Sequence, residues 1–126
     1  MNLEKVIFGF FILLAATLNF GFVYGNIDNP EHHHLWELFA AIVVNLIATV
    51  LKFGDRTHVG AVHLASSLVA LLQLIAAALV WFFVGRDGAP MTPSTMASIV
   101  SLSAGALLAN IVSVIIMVVE TTMQRR

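Results

Sequence analysis

Four long apolar runs separated by short polar turns constrain this chain more than any other feature of its sequence. Each run has roughly the 20 residues that an α-helix needs to cross the hydrocarbon core of a bilayer. Hydrophobic residues make up 60% of the chain and charged residues only 10%, whereas soluble domains carry about 25% charged residues. We therefore predict an all-α, polytopic membrane protein that forms a single domain over residues 1–126. The predicted spans cover about residues 6–25, 35–53, 61–84 and 95–119.

Local signals indicate where the helices begin and end. The first run is too long for a signal peptide and lacks an A-x-A-like cleavage site, so we expect it to be retained as a helix. Gly54 is of the type that ends a helix, and Thr57 and Thr92 are of the type that caps a helix N-terminus. Asn29 followed by Pro30 has the same cap-and-proline pattern. It predicts that the second helix begins at Pro30.

The positions of the basic residues predict the orientation in the membrane. Cytoplasmic loops carry an excess of Lys and Arg. Arg86 stands alone on one side, and the basic residues on the other side are Lys5, Lys52, Arg56, Arg125 and Arg126. The pattern predicts an antiparallel bundle in the cell inner (plasma) membrane, with the N and C termini in the cytoplasm.

Each apolar run contains one carboxamide near the middle of its depth, namely Asn19, Asn45, Gln73 and Asn110. An amide in hydrocarbon is costly unless it finds a partner, so we expect these side chains to face protein. Two interpretations remain open. The amides hold helices together by hydrogen bonds, or they line an ion path. The predicted ion path or polar core consists of Asn19, Asn45, Thr49, Ser66, Ser67, Gln73 and Asn110.

Small and polar residues on the fourth helix fall on two nearly opposite faces. One carries Ser94, Ser98, Ser101 and Gly105, and the other carries Ser103 and Asn110. Small residues allow helices to approach closely. Two such faces predict two packing partners, and therefore contact with a second subunit.

The turn between the second and third runs is the most polar in the chain. It predicts a cytoplasmic polar cluster of Lys52, Asp55, Arg56, His58 and His63. Asp55 and Arg56 suit a pair that stabilises the turn. His63 lies about one turn inside the third helix, and two interpretations stay open for it: a side chain that reaches the interface, or a ligand.

The three consecutive histidines His32–His34 cannot share one metal on a helix, because successive residues point about 100° apart. His33 and Glu37 are four residues apart, which puts them on one helix face as a candidate metal pair. The alternatives are a solvated helix cap and a sensor of external pH, since histidine titrates between about pH 5 and 8.

Other function classes are disfavoured by what the sequence contains. There is no cysteine, which excludes thiol chemistry and iron–sulfur clusters, and the net charge of −1 gives no footprint for nucleic acid. The histidines are not paired between facing runs as haem ligation requires. No nucleotide-binding, metalloprotease or hydrolase motif is present. We expect no cofactor and no enzymatic activity.

The stretch LKFGDRTHVGAVHL, residues 51–64, resembles the central loop of uncharacterised families of small bacterial four-helix inner-membrane proteins. That resemblance implies a similar location and carries no function with it.

Two functions compete. The first is ion transport, as an accessory subunit of a larger cation channel or transporter or as a small homo-oligomeric channel. The second is a non-conducting structural protein, or a pH or metal sensor that uses His32–His34. The first is favoured, because a chain of 126 residues without a soluble output domain has little means of signalling alone. The expected partners are the lipid bilayer and either further copies of the chain or a larger membrane transport complex.

Overall fold

The computed structural model describes residues 3–25, 34–54, 57–86 and 90–124, and this part of the chain is helical apart from short connecting segments. Its four helices are each long and apolar enough to cross a membrane, as the sequence predicts. They differ in length: α2 has 18 residues and α4 has 32. The helices are α1 (Leu3–Val23), α2 (Leu35–Lys52), α3 (His58–Arg86) and α4 (Pro93–Gln124).

Local chemistry sets several of the helix ends, and it confirms the predicted roles of Thr57, Thr92 and Gly54. The Thr57 hydroxyl accepts a hydrogen bond of 2.9 Å from the backbone N–H of Gly60. The Thr92 hydroxyl accepts one of 3.1 Å from the N–H of Thr95, and α4 begins at the proline that follows Thr92. Gly54, just beyond the end of α2, has a φ of 89°, a backbone conformation that glycine adopts without steric cost.

The start of α2 differs from the prediction of Pro30. The helix begins at Leu35, and His34 before it is extended, with φ −95° and ψ 127°. The His34 carbonyl accepts the N–H groups of Glu37 and Leu38, which are the first helical hydrogen bonds. Leu35, the first residue of the helix, packs against the core, and tertiary packing supplies most of the stability of a helix in a protein. Residues 26–33, including Asn29 and Pro30, lie outside the described residues.

The helices form a ring in which α1 and α3 each pack against both α2 and α4. At one end, Lys5 Nζ of α1 lies 2.6 Å from Glu120 Oε1 of α4. At the same end, Lys52 Nζ of α2 lies 4.3 Å from the centre of the Phe8 ring of α1. The beginning of α1 is therefore beside the ends of both α2 and α4.

The interior is closely packed and the outer surface is also apolar. Small residues between the helices let the helix backbones approach each other. The main apolar cluster of the interior contains such small residues together with larger ones, namely Phe22, Leu38, Leu74, Met96 and Ile99. Many large apolar side chains point outward, among them Leu72, which is 70% exposed. A surface of this kind is unsuited to water and suited to lipid, so the fold is that of a small multi-pass membrane protein.

Candidate functional site

Polar side chains occupy the interior of this apolar bundle. Three of the four predicted carboxamides, those of Asn19, Asn45 and Asn110, are buried, and Gln73 is half-buried. Of the predicted hydroxyl residues, Thr49 and Ser67 are buried and Ser66 is half-buried. The structure adds the buried Ser103 and Ser113, which were not among the predicted site residues. We call the following residues the polar core: Asn19, Asn45, Thr49, Ser67, Gln73, Ser103, Asn110 and Ser113.

Two members of the polar core bond to their own helix. The Asn45 amide Nδ2 donates to the carbonyl of Ala41 over 2.9 Å. The Thr49 hydroxyl donates to the carbonyl of Asn45 over 2.8 Å. These bonds satisfy the donors within α2, so they do not join α2 to a neighbouring helix.

Most of the remaining polar core atoms make no hydrogen bond within the described part of the chain. Both amide atoms of Asn19 and of Asn110 are in this state, as is the Asn45 carbonyl oxygen. A buried polar group without a partner costs about 1–3 kcal/mol. The further unpaired atoms are Gln73 Oε1 and the hydroxyl oxygens of Ser67, Ser103 and Ser113. The polar core thus presents donors and acceptors that suit a small polar guest such as water or a cation.

The polar core extends over much of the depth of the bundle. On α4 it runs from Ser103 to Ser113, ten residues or about 15 Å along the helix axis. That length is about half of a 30 Å hydrocarbon core. Beside it, the side-chain amide of Gln73 on α3 lies against Gly105 of α4, where an added Cβ would come within 2.7 Å of Gln73 Oε1. The polar atoms therefore form an elongated zone and not a single pocket.

Two cavities, of about 790 and 440 Å³, lie at the end of the bundle where α1 begins and α4 ends. We call them the terminal cavities. Both are lined by Lys5, Phe8, Lys52 and Glu120, so they share one set of walls. The charged residues that both cavities share are two cations, Lys5 and Lys52, and one anion, Glu120. Glu4 adds a second anion to the wall of the larger cavity. The walls therefore carry both signs of charge and no large excess of either.

The structure brings together part of the predicted cytoplasmic polar cluster. Lys52 and His63 line the same terminal cavity. The His63 side chain is buried, and its ring makes a T-shaped contact with the Phe8 ring, with 4.9 Å between centroids. His58 is exposed at the first residue of α3. Asp55 and Arg56 lie outside the described residues.

Glu37, one half of the predicted metal pair, lies on the first turn of α2 and is half-buried. Its carboxylate packs against Gly21 of α1, so closely that a Cβ at position 21 would collide with it. The predicted pairing assumes a helix that includes His33, but α2 begins only at Leu35. His33 itself lies outside the described residues. Among the described residues, no group of three or more metal-binding side chains is present.

Comparison with known proteins gives one family. Residues 32–121, which include α2 and α3 and most of α4, match the family of unknown function DUF6394. The match contains residues 51–64, the stretch that resembles uncharacterised families. No curated protein and no solved structure matches the chain.

Proposed function

The chain belongs to the DUF6394 family, and we propose that it is a small component of cation transport in the bacterial inner membrane. It acts either as an accessory subunit of a larger channel or transporter, which we favour, or as a small homo-oligomeric channel. Lys5 and Lys52 at one end of the bundle and Arg86 at the other support an antiparallel bundle with both termini in the cytoplasm.

The atoms of the polar core that have no hydrogen bond to a described residue carry this proposal. A bundle that needed only stability would be served by apolar side chains or by polar side chains with partners. The amides of Asn19 and Asn110 are instead buried without hydrogen bonds to any described residue. Polar side chains that face the interior of a membrane bundle can line an ion pathway. Amide and hydroxyl oxygens also replace the hydration shell of a cation as it passes.

The burial of the polar core favours an assembly over a pore in a single chain. Asn45 and Ser67 are fully buried, so the resting bundle holds no continuous aqueous path along them. A path therefore opens only when the helices move or when a partner contributes. The outward face of α4 supports such a partner, because Ser94, Ser98 and Ser101 are all exposed on it and small residues permit close helix packing.

A non-conducting role is the second candidate, and two observations favour it. Asn45 and Thr49 find partners on their own helix, and the Gln73 amide fills the space beside Gly105 of α4. In this alternative the polar core fixes the packing of the helices. The segment His32–His34 would then sense pH or metal outside the cell.

Flux measurements test the two candidates against each other. The protein is reconstituted in liposomes, and K⁺, Na⁺ and H⁺ fluxes are followed with ion-sensitive dyes. Asn45→Leu and Gln73→Leu are expected to abolish flux, because each removes amide oxygens from the polar core. Thr17→Leu is the matched control, since Thr17 is exposed and bonds to the Leu14 carbonyl of its own helix.

Native mass spectrometry of the protein from its own membrane decides which preparation enters the flux assay. A foreign subunit at fixed stoichiometry supports the accessory role, and flux is then measured on the complex. A homo-oligomer with flux that both variants abolish supports the channel. A monomer without flux, or flux that neither variant changes, overturns the proposal.

A further inference from the structure

Phe8 stands between the terminal cavities and the polar core. It lines both cavities, yet only 3% of its own surface is exposed. The ring makes a T-shaped contact with the His63 ring of α3, and Lys52 Nζ of α2 lies over the Phe8 ring at 4.3 Å from its centre. Residues from two other helices therefore hold this ring in place.

Apolar side chains continue behind Phe8 for a short distance. Phe8 forms a small buried cluster with Ile12 and Ala48, and Met117 of α4 packs against it. The Met117 sulfur also lies against Gly9, where an added Cβ would come within 3.0 Å of it. This apolar cluster joins α1, α2 and α4 near the end of the bundle.

Polar core residues begin one helical turn deeper on three helices. Thr49 is three residues from Lys52, Ser67 is four residues from His63, and Ser113 is four residues from Met117. Three to four residues of helix correspond to about 5–6 Å. About one helical turn therefore separates the cavity-lining residues Lys52, His63 and Met117 from the first buried hydroxyl group of their own helices.

We propose that the Phe8 ring, capped by the Lys52 ammonium group, is the barrier that controls entry of a small cation from the terminal cavities into the polar core. The inference rests on the proposed transport function and names the point of access to that same site. A narrow apolar constriction excludes water and ions until it widens. The face of an aromatic ring attracts cations, and the tethered Lys52 ammonium occupies the position that an entering cation would take.

Thiol labelling tests the barrier directly, because the chain contains no cysteine and a single introduced one is unique. Ser67→Cys places the reporter one turn beyond the barrier, in the buried core. The labelling rate with a small cationic methanethiosulfonate is measured in lipid nanodiscs. Adding Phe8→Ala is expected to raise this rate at least tenfold. Adding Phe10→Ala is the matched control, because Phe10 on the same helix is 59% exposed, and it is expected to leave the rate unchanged.

A second variant keeps the test valid if Phe8→Ala does not fold. Lys52→Gln removes the positive charge over the ring and leaves the ring itself in place. It is expected to raise the labelling rate at Ser67→Cys several-fold with the cationic methanethiosulfonate, and to raise it less with a neutral one. Equal rates in Phe8→Ala and Phe10→Ala, with both proteins helical by circular dichroism, overturn the barrier. If Phe8→Ala does not fold, an equal effect of Lys52→Gln on both reagents overturns it.

Labelling reports access and not transport, so the two proposals fail separately. If Phe8→Ala exposes the reporter but the protein and its complex show no flux, the barrier stands and the transport function falls. If flux depends on Asn45 but the reporter is equally accessible with and without the Phe8 ring, transport stands and the barrier assignment is wrong.

Discussion

Replacing Asn110 by Leu is expected to make the protein more stable, although it removes a polar group from the polar core. Leu has the same number of side-chain heavy atoms as Asn and branches at the same carbon, so it is the closest apolar replacement for the buried Asn110, which is 1% exposed. Neither amide atom of Asn110 has a hydrogen-bond partner among the described residues. Removing a buried unpaired polar group recovers about 1–3 kcal/mol. We expect the free energy of unfolding to rise by about that amount.

The assay is reversible unfolding in mixed micelles with increasing sodium dodecyl sulfate, followed by circular dichroism. Asn45→Leu is the comparison, because it also removes the Asn45 Nδ2 bond to the Ala41 carbonyl. A hydrogen bond inside a membrane protein is worth about 0.6 kcal/mol on average, so the gain there should be smaller. A loss of more than about 1 kcal/mol for Asn110→Leu would refute the reasoning. It would mean that the amide has partners in the membrane and serves to hold helices together.

Three further predictions concern the ends of the helices, each measured as the free energy of unfolding in the same micelles. Gly54→Ala should cost about 1 kcal/mol, because Gly54 has a φ of 89°, a conformation that an alanine adopts only with strain. Gly85→Ala is the control and should cost less, since a Cβ there meets no other atom. Equal losses in the two variants would contradict the backbone argument. Thr92→Ala should cost about 1 kcal/mol by removing the cap of α4, and no loss would mean that the cap bond is dispensable. A double-mutant cycle with Lys5→Gln and Glu120→Gln should give a coupling energy below about 1 kcal/mol that decreases as salt is added, because both side chains are partly exposed. A coupling energy that does not change with salt would contradict this.

The number of helices and the burial of the amides could be predicted from the sequence because the bilayer restricts the alternatives so strongly. An apolar run of about 20 residues has to be a helix in lipid. A carboxamide at mid-depth has to turn toward protein because lipid offers it no partner. Asn19 and Asn45 are buried for this reason.

The orientation of serine could not be predicted in the same way. A serine hydroxyl in a helix can bond to a carbonyl one turn back, so it is not forced inward. Ser98 does this with the Ser94 carbonyl and is exposed, whereas Ser113 on the same helix is buried. The signal that separates the two cases is helical spacing, because Ser113 is three residues from Asn110 and shares the face of Ser103 and Asn110. Ser113 was missed because that face was not extended beyond Asn110.

The position of Phe8 could not be predicted either. In a soluble helix the apolar face marks the core, but in a membrane helix the lipid-facing side is as apolar as the buried one. Phe8 and Phe10 are therefore equivalent in the sequence, although the first is buried and the second faces outward. Only the contacts with α2 and α3 distinguish them.

The unequal helix lengths make the thickness of the surrounding bilayer a physical variable for this protein. At 1.5 Å per residue α2 is about 27 Å long and α4 about 48 Å, against a hydrocarbon thickness of about 30 Å. The long helix adapts by tilting or by extending into water, but the short one has no length in reserve. Lys52 is the last residue of that short helix. A thicker membrane therefore draws the Lys52 ammonium group toward hydrocarbon, unless the lipids around α2 thin locally. The lysine keeps its position over the Phe8 ring only in a bilayer whose thickness matches the length of α2.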